Sequence, residues 1–162
     1  LQKLDYKNID LIMNLQGDEP LMNIEDIRTL NDRMIKNQSQ LGTLASEIKD
    51  KAIYKNENIV KVNTKEPLDH LNFSEAINFT RKVSEPNKNI YHHLGIYCYN
   101  KNTLKDFVSY NQSANEIKNR LEQIRALDNN IRINVALAKS SPIGVDTDED
   151  FLAIKKIMEY KS

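Results

Sequence analysis

"IDLIMNLQGDEPLMNIEDIRTLNDRMIK", Ile9 to Lys36, decides the fold class of this chain. Ile9 to Leu15 is a short apolar run without helical spacing, bounded by Gly17, which reads as a strand buried on both faces. Ile24, Ile27, Leu30 and Met34 then recur at steps of three and four behind Asn23, a residue suited to capping. That spacing predicts a helix from about Ile24 to Lys36. A strand, a sharp turn holding two carboxylates and a helix form the start of a layered α/β sheet.

The same reading extends outward. "QLGTLASEI" gives a strand around Gly42 to Ile48 and "NIVKVNT" another around Ile59 to Asn63. "EAINFTRK" and "YHHLGIYCYN" are rich in β-formers, and the polar "SEPNKN" between them, with Pro86, is a surface loop. "KNTLKDFVSYN" puts Leu104, Phe107 and Val108 on one helical face. "SANEIKNRLEQIRALDN" does the same for Ile117, Leu121, Ile124 and Leu127, so two amphipathic helices are expected. "RINVALAK" alternates as a strand from about Ile131 to Ala138. A Pro/Gly turn then enters a last helix with Thr147 or Asp148 as N-cap. Residues 1–162 thus read as one α/β domain with a β-rich section at 53–100.

Composition narrows the function classes. The 162 residues are 40% hydrophobic and 28% charged, enough for a real core in one domain. Lys plus Arg and Asp plus Glu both number 23, so no global field recruits nucleic acid or an anionic membrane, and any anion site is local. No apolar stretch approaches the roughly 20 residues of a membrane span, and no leader resembles a signal peptide. The reading is a cytoplasmic protein without nucleic-acid or membrane partners. The single cysteine, Cys98, forms no internal disulfide and reads as a buried, inert thiol within "LGIYCY".

Ligands of open α/β sheets bind beyond the carboxyl ends of strands, which is where "QGDEP" falls. Asp18 there can hold a divalent metal against a phosphate; equally, Asp18 or Glu19 can cap the helix that follows. "GVDTDED" also follows a strand and a glycine, so Asp146 can reach the same sheet edge, while Asp148, Glu149 and Asp150 read as cap and first-turn charges. Two carboxylates converging from separate strands suit magnesium and nucleotidyl transfer.

"NLQGDEPLM", the "FTR" of Phe79 to Arg81, "YHHLGIYCY", "LEQIRAL" and "GVDTDEDF" occur in the order and at about the spacing of 3-deoxy-manno-octulosonate cytidylyltransferases, the CMP-Kdo synthetases. The chain resembles that family over nearly its whole length. The resemblance implies a Rossmann-like nucleotide-diphospho-sugar transferase fold, a mixed sheet flanked by helices. It also implies a homodimer with CTP and Kdo as substrates and Mg2+ as cofactor, making CMP-Kdo and pyrophosphate for lipopolysaccharide. By the same resemblance Asp18 and Asp146 are the metal-binding aspartates, and with Arg81 they form the catalytic centre. Gln16 and Pro20 border the sugar pocket, and Arg81 pairs with a sugar carboxylate or a phosphate through its fork. Read alone, Arg81 is a surface charge.

His93 and Tyr97 lie four apart on one strand face and can point into one cleft. Without the resemblance His93 reads as a satisfied structural histidine; with it, as a sugar ligand. Glu122 and Gln123 resemble the polar pair that binds sugar hydroxyls, and Arg125 suits a helix salt bridge.

Departures from the family pattern carry expectations too. The chain opens on Leu1, with nothing like the "PAR…PGK" segment that wraps the triphosphate, so the first third of a family member is expected to be missing and CTP binding with it. Apolar sheet edges would then be exposed. "KVSEPNKN" lacks the usual "IP" turn, Asn119 stands where many relatives have glutamate, and Asp148 occupies a proline slot. The first two leave open a different sugar acid, sialic-type or amino-Kdo. A truncated, inactive homologue serving as a binding or dimerisation module is the non-enzyme alternative.

Overall fold

Strand β1 (Leu11–Leu15) opens the described part of the computed structural model, which covers residues 9–17, 20–140 and 148–159. Helix α1 (Ile24–Asn37) follows, begun by Asn23, whose side chain accepts from the Glu25 N–H at 2.8 Å, and ended at Gln38 in the left-handed region. Strand β2 (Leu41–Ser46), a 3-10 helix (Lys51–Lys55), β3 (Lys61–Thr64), β4 (Ser74–Thr80) and the long β5 (Ile90–Asn100) come next. The remaining elements are α2 (Lys101–Ser109), α3 (Ala114–Asn119), α4 (Ile124–Asp128), β6 (Ile133–Leu137) and α5 (Asp148–Glu159).

The six strands form one mixed sheet, β1-β5-β2-β6-β4-β3, in which β2–β6 is parallel and the other pairs are antiparallel. β3 also pairs with the first residues of β5, so the pairings β2-β5-β3-β4-β6 close into a circuit. Both β1 and β2 are antiparallel to β5, and β6 is parallel to β2. Consequently β1, β2 and β6 run in one direction, and the carboxyl ends of β1 and β6 share one sheet edge.

Each sheet face has its own core. On one, Leu30 and Met34 of α1 pack against Leu44, Leu94, Ile96 and Cys98. Gly42 makes that approach possible: a Cβ there would lie 2.6 Å from Met34 Sδ and 2.9 Å from a Phe73 ring carbon. On the other face Leu41, Val62, Phe79, Tyr97, Tyr99, Phe107, Ile133 and Val135 form the larger cluster.

The α/β class and mixed sheet agree with the sequence reading, but local details differ. β1 is half-buried, with Leu15 51% exposed, because among the described residues it pairs with β5 alone. The single helix expected from "SANEIKNRLEQIRALDN" is two. Arg120 enters the left-handed region at φ 53° and ends α3, which turns Leu121 and Ile124 into the core and leaves Ile117 61% exposed. Val108 likewise faces outward at 67% exposure, while Leu104 and Phe107 pack inward. Of the two expected caps for α5, Thr147 lies outside the described residues and Asp148 is the first residue of the helix. No helix among the described residues is long and apolar enough to cross a membrane.

Candidate active site

The long strand β5 organises the side chains that the motifs single out. Its pairing with β2 shifts register between Thr43 and Leu44, whose partners are Tyr97 and Leu94, so Gly95 and Ile96 form a bulge. The bulge keeps His93 and Tyr97 on one face, ring centroids 5.5 Å apart. Phe79 meets His93 edge-on at 5.1 Å, and Tyr99 and Phe107 continue the row at 6.2 and 5.7 Å.

His93 is 6% exposed and bonds Thr43 Oγ1 through Nε2 at 3.0 Å. The Thr43 hydroxyl has one proton and donates it to the Ile96 carbonyl at 2.7 Å, so Nε2 is the donor to Thr43 and Nδ1 the acceptor of a neutral ring. Burial, with His92 beside it, lowers the imidazole to about 3. This histidine is therefore neutral and satisfied at Nε2, as the reading without the resemblance holds. Its free ring nitrogen is what a sugar hydroxyl could use.

Arg81 follows β4 and is half-buried. Its Nη1 donates to the Glu57 carbonyl at 3.0 Å and its Nη2 to the Arg120 carbonyl at 3.3 Å. The second bond brings Arg81 to the turn that carries Glu122 and Gln123. Glu122 is exposed, whereas Gln123 is 7% exposed and its side-chain amide makes no hydrogen bond among the described residues. Among the described residues the one side-chain polar atom both fully buried and unpartnered is Asn89 Oδ1, so the Gln123 amide keeps access to solvent, where a ligand can meet it.

Arg125 forms the salt bridge expected of it, though not along one helix. It grips Glu116 across the α3–α4 break and lies 4.9 Å over the Phe107 ring. The guanidinium holds the Glu116 carboxyl down to about 2.

At the shared sheet edge, the Gln16 N–H donates to the Gly95 carbonyl at 3.3 Å, tying the end of β1 to the β5 bulge. Gln16 itself and Pro20 are exposed. Asp18 and Asp146 lie outside the described residues. Each follows, in sequence, the carboxyl end of a strand at that edge, β1 and β6 respectively. No group of three or more His, Cys, Asp or Glu that could hold a metal occurs among the described residues.

Three residues here escape a reading of the sequence. Asp26 looks like a first-turn charge of α1, yet it is buried and accepts from the Lys139 N–H at 2.9 Å and from the Ser140 N–H and hydroxyl. It fastens α1 to the chain leaving β6. Thr43 and Lys61 sit in ordinary β-strand runs with nothing to mark them. Lys61 is fully buried, and burial, with the Arg81 cation second, lowers its ammonium.

Comparison with known proteins places this geometry in context. The cytidylyltransferase family profile matches residues 1–133. The chain is 39% identical over 162 residues to the 3-deoxy-manno-octulosonate cytidylyltransferase of Bartonella tribocorum, covering 98% of this chain and 65% of that one. It is 40% identical over 157 residues to the enzyme of the same name from Thermodesulfovibrio yellowstonii, covering 94% and 62%. A solved CMP:2-keto-3-deoxy-manno-octonic acid synthetase complexed with CTP superposes with a TM-score of 0.83 at 26% identity, over 99% of this chain and 66% of that one. This chain thus spans just under two thirds of the length of the curated relatives it matches.

Proposed function

The chain belongs to the cytidylyltransferase family, and from that premise we propose that the full-length protein couples Kdo to CTP, forming CMP-Kdo and releasing pyrophosphate. The observation that carries this reading to the sugar side is Gln123: a largely buried residue whose amide has no hydrogen-bond partner among the described residues and keeps access to solvent, in a turn to which Arg81 is bonded. The names of the relatives and of the CTP complex support the substrate pair.

In this reading the anomeric oxygen of the sugar acid attacks the α-phosphorus of CTP. The new bond is O–P, the bond to the β,γ-diphosphate breaks, pyrophosphate carries off the electron pair, and the hydroxyl proton goes to solvent. No residue forms a covalent intermediate, so the protein's part is to bind and align. Arg81, with guanidinium N–H groups left over, pairs with the sugar carboxylate; Glu122 and Gln123 take hydroxyls; His93 Nδ1 accepts one more; Tyr97 packs beside it. Gln16 and Pro20 border the same pocket.

The donor set fits magnesium. Asp18 and Asp146 are hard oxygen donors placed in sequence after two strands whose ends share one sheet edge, and they would hold the ion. When bound, Mg2+ supplies positive charge against the phosphate oxygens. Homodimerisation and a cytoplasmic setting complete the proposal.

The test is CMP-sugar formation by the full-length protein with Mg2+ and CTP, offering Kdo, an amino-Kdo and a sialic-type acid side by side. Preference for Kdo is expected. Failure to make a CMP-sugar from any 2-keto-3-deoxy acid overturns the reading.

A further inference from the structure

The most deeply buried cation among the described residues is not one that the motifs mark. Lys61, at 0% exposure on β3, donates from Nζ to three backbone carbonyls: Asn56 at 2.6 Å, Ile59 at 2.8 Å and Arg81 at 2.5 Å. An ammonium has three donors, and here all three are used, each on main chain. Arg81 returns the contact, since its Nη1 donates to the Glu57 carbonyl inside the same 56–59 turn. Its Nη2 reaches the Arg120 carbonyl, two residues ahead of Glu122. Two of the five guanidinium donors are thereby fixed, and the rest of the fork is left for a ligand.

Burying an ammonium is costly, and an apolar side chain of similar length at this place in β3 would avoid that cost. What only the ammonium supplies is the simultaneous fixing of the 56–59 turn and of the Arg81 backbone. We propose that Lys61 is the positioning residue for Arg81, setting the guanidinium against the Glu122–Gln123 turn so that the fork meets the carboxylate of the sugar acid in one orientation. The inference rests on the function proposed above. It makes Lys61 a determinant of sugar binding without contact with the sugar.

Lys61→Met removes the three donors and keeps the chain length; Lys61→Gln keeps two N–H donors on a shorter stem. In the full-length protein Lys61→Met is expected to raise KM for the sugar acid about tenfold or more and to leave KM for CTP within about twofold, with Lys61→Gln between. Added to Arg81→Lys it should cause little further loss, because both changes disable one device. A structural role alone would move both KM values together or multiply with Arg81→Lys, and either result overturns the proposal. So does failure of both Lys61 variants to fold, which would make the lysine an anchor of the whole fold. A readout free of turnover separates this inference from the function itself. In 15N-labelled full-length protein the Arg81 Nη–H signals, resolved while two carbonyls hold the guanidinium, should collapse in Lys61→Met. If the wild type makes no CMP-sugar the functional reading fails, and unchanged Arg81 signals then overturn the positioning role.

Discussion

Arg125 grips Glu116 with two parallel bonds, Nε to Oε2 at 2.8 Å and Nη2 to Oε1 at 2.5 Å, across the point where one expected helix breaks into two. The carboxylate also receives the Ser113 N–H and the Gln112 amide, so the start of α4 is locked to the start of α3 while the left-handed residue Arg120 turns the chain between them. The pair is what makes the break stable. Its side chains are 13% and 4% exposed, a setting in which losing one partner strands the other.

Arg125→Met should therefore cost about 3 kcal/mol by urea unfolding, since it leaves Glu116 buried and unpaired. Glu122→Gln, which alters only the 3.5 Å exposed contact of the same arginine, should stay within about 0.5 kcal/mol. Arg125→Met combined with Glu116→Leu should regain most of the loss, because no buried charge is then left over. A loss no larger for Arg125→Met than for Glu122→Gln would show that the pair does not hold the break.

His93 gives the stability a defined acid limb. Its ring titrates near 6.5 when unfolded and near 3 when folded, so between those values the unfolded chain holds the extra proton. Stability from this group is full above about pH 6.5 and falls as pH drops toward 3, with a slope approaching 1.4 kcal/mol per pH unit, or about RT ln 10. His92 is lowered in the same direction and is present in both proteins compared. His93→Gln keeps a donor for Thr43 and removes the titration, so its stability profile from pH 6.5 to 4.5 should be flatter than the wild type's. Parallel profiles would mean that His93 is charged in the folded protein.

Gly42 is required for space rather than for backbone freedom. A Cβ would meet Met34 Sδ at 2.6 Å, Phe73 at 2.9 Å and Leu30 at 3.0 Å, three side chains that seal α1 onto the sheet. Gly42→Ala should destabilise by between about 1 and 3 kcal/mol in chemical denaturation. The α1 backbone amides should exchange faster than those of α2, which packs on the other face. An unchanged midpoint would show that the three side chains can move aside freely.

Periodicity revealed what neighbouring residues determine, and little beyond it. The strand, turn and helix of Ile9 to Lys36 and the alternation of β6 depend on local spacing, and the cap at Asn23 depends on the two residues after it. Arg120 could not be foreseen, because nothing nearby forbids a helix there; the break is fixed by Glu116 meeting Arg125 and by Leu121 entering a core built from distant strands. Buried polar groups were hidden for the same reason. Asp26 is bound to Lys139 and Ser140, and Lys61 to Arg81, partners far along the chain. Among the site residues, the sharing of one face by His93 and Tyr97 follows from the period of a strand, yet it survives a bulge only because two extra residues keep the parity.

Gln123 separates binding from folding. Its amide makes no hydrogen bond among the described residues, so the fold draws no hydrogen-bond stabilisation from it. Gln123→Leu removes no hydrogen bond of the fold and keeps the volume, and urea unfolding should place the variant within about 0.5 kcal/mol of the wild type. A donor and acceptor that a sugar hydroxyl would use are lost at the same time. KM for the sugar acid in the full-length protein should then rise about tenfold, with KM for CTP unchanged. Because stability is held while sugar affinity falls, the outcome is not confounded by misfolding. Destabilisation with an unchanged KM would place the amide in the core's own hydrogen bonding and remove Gln123 from the sugar site.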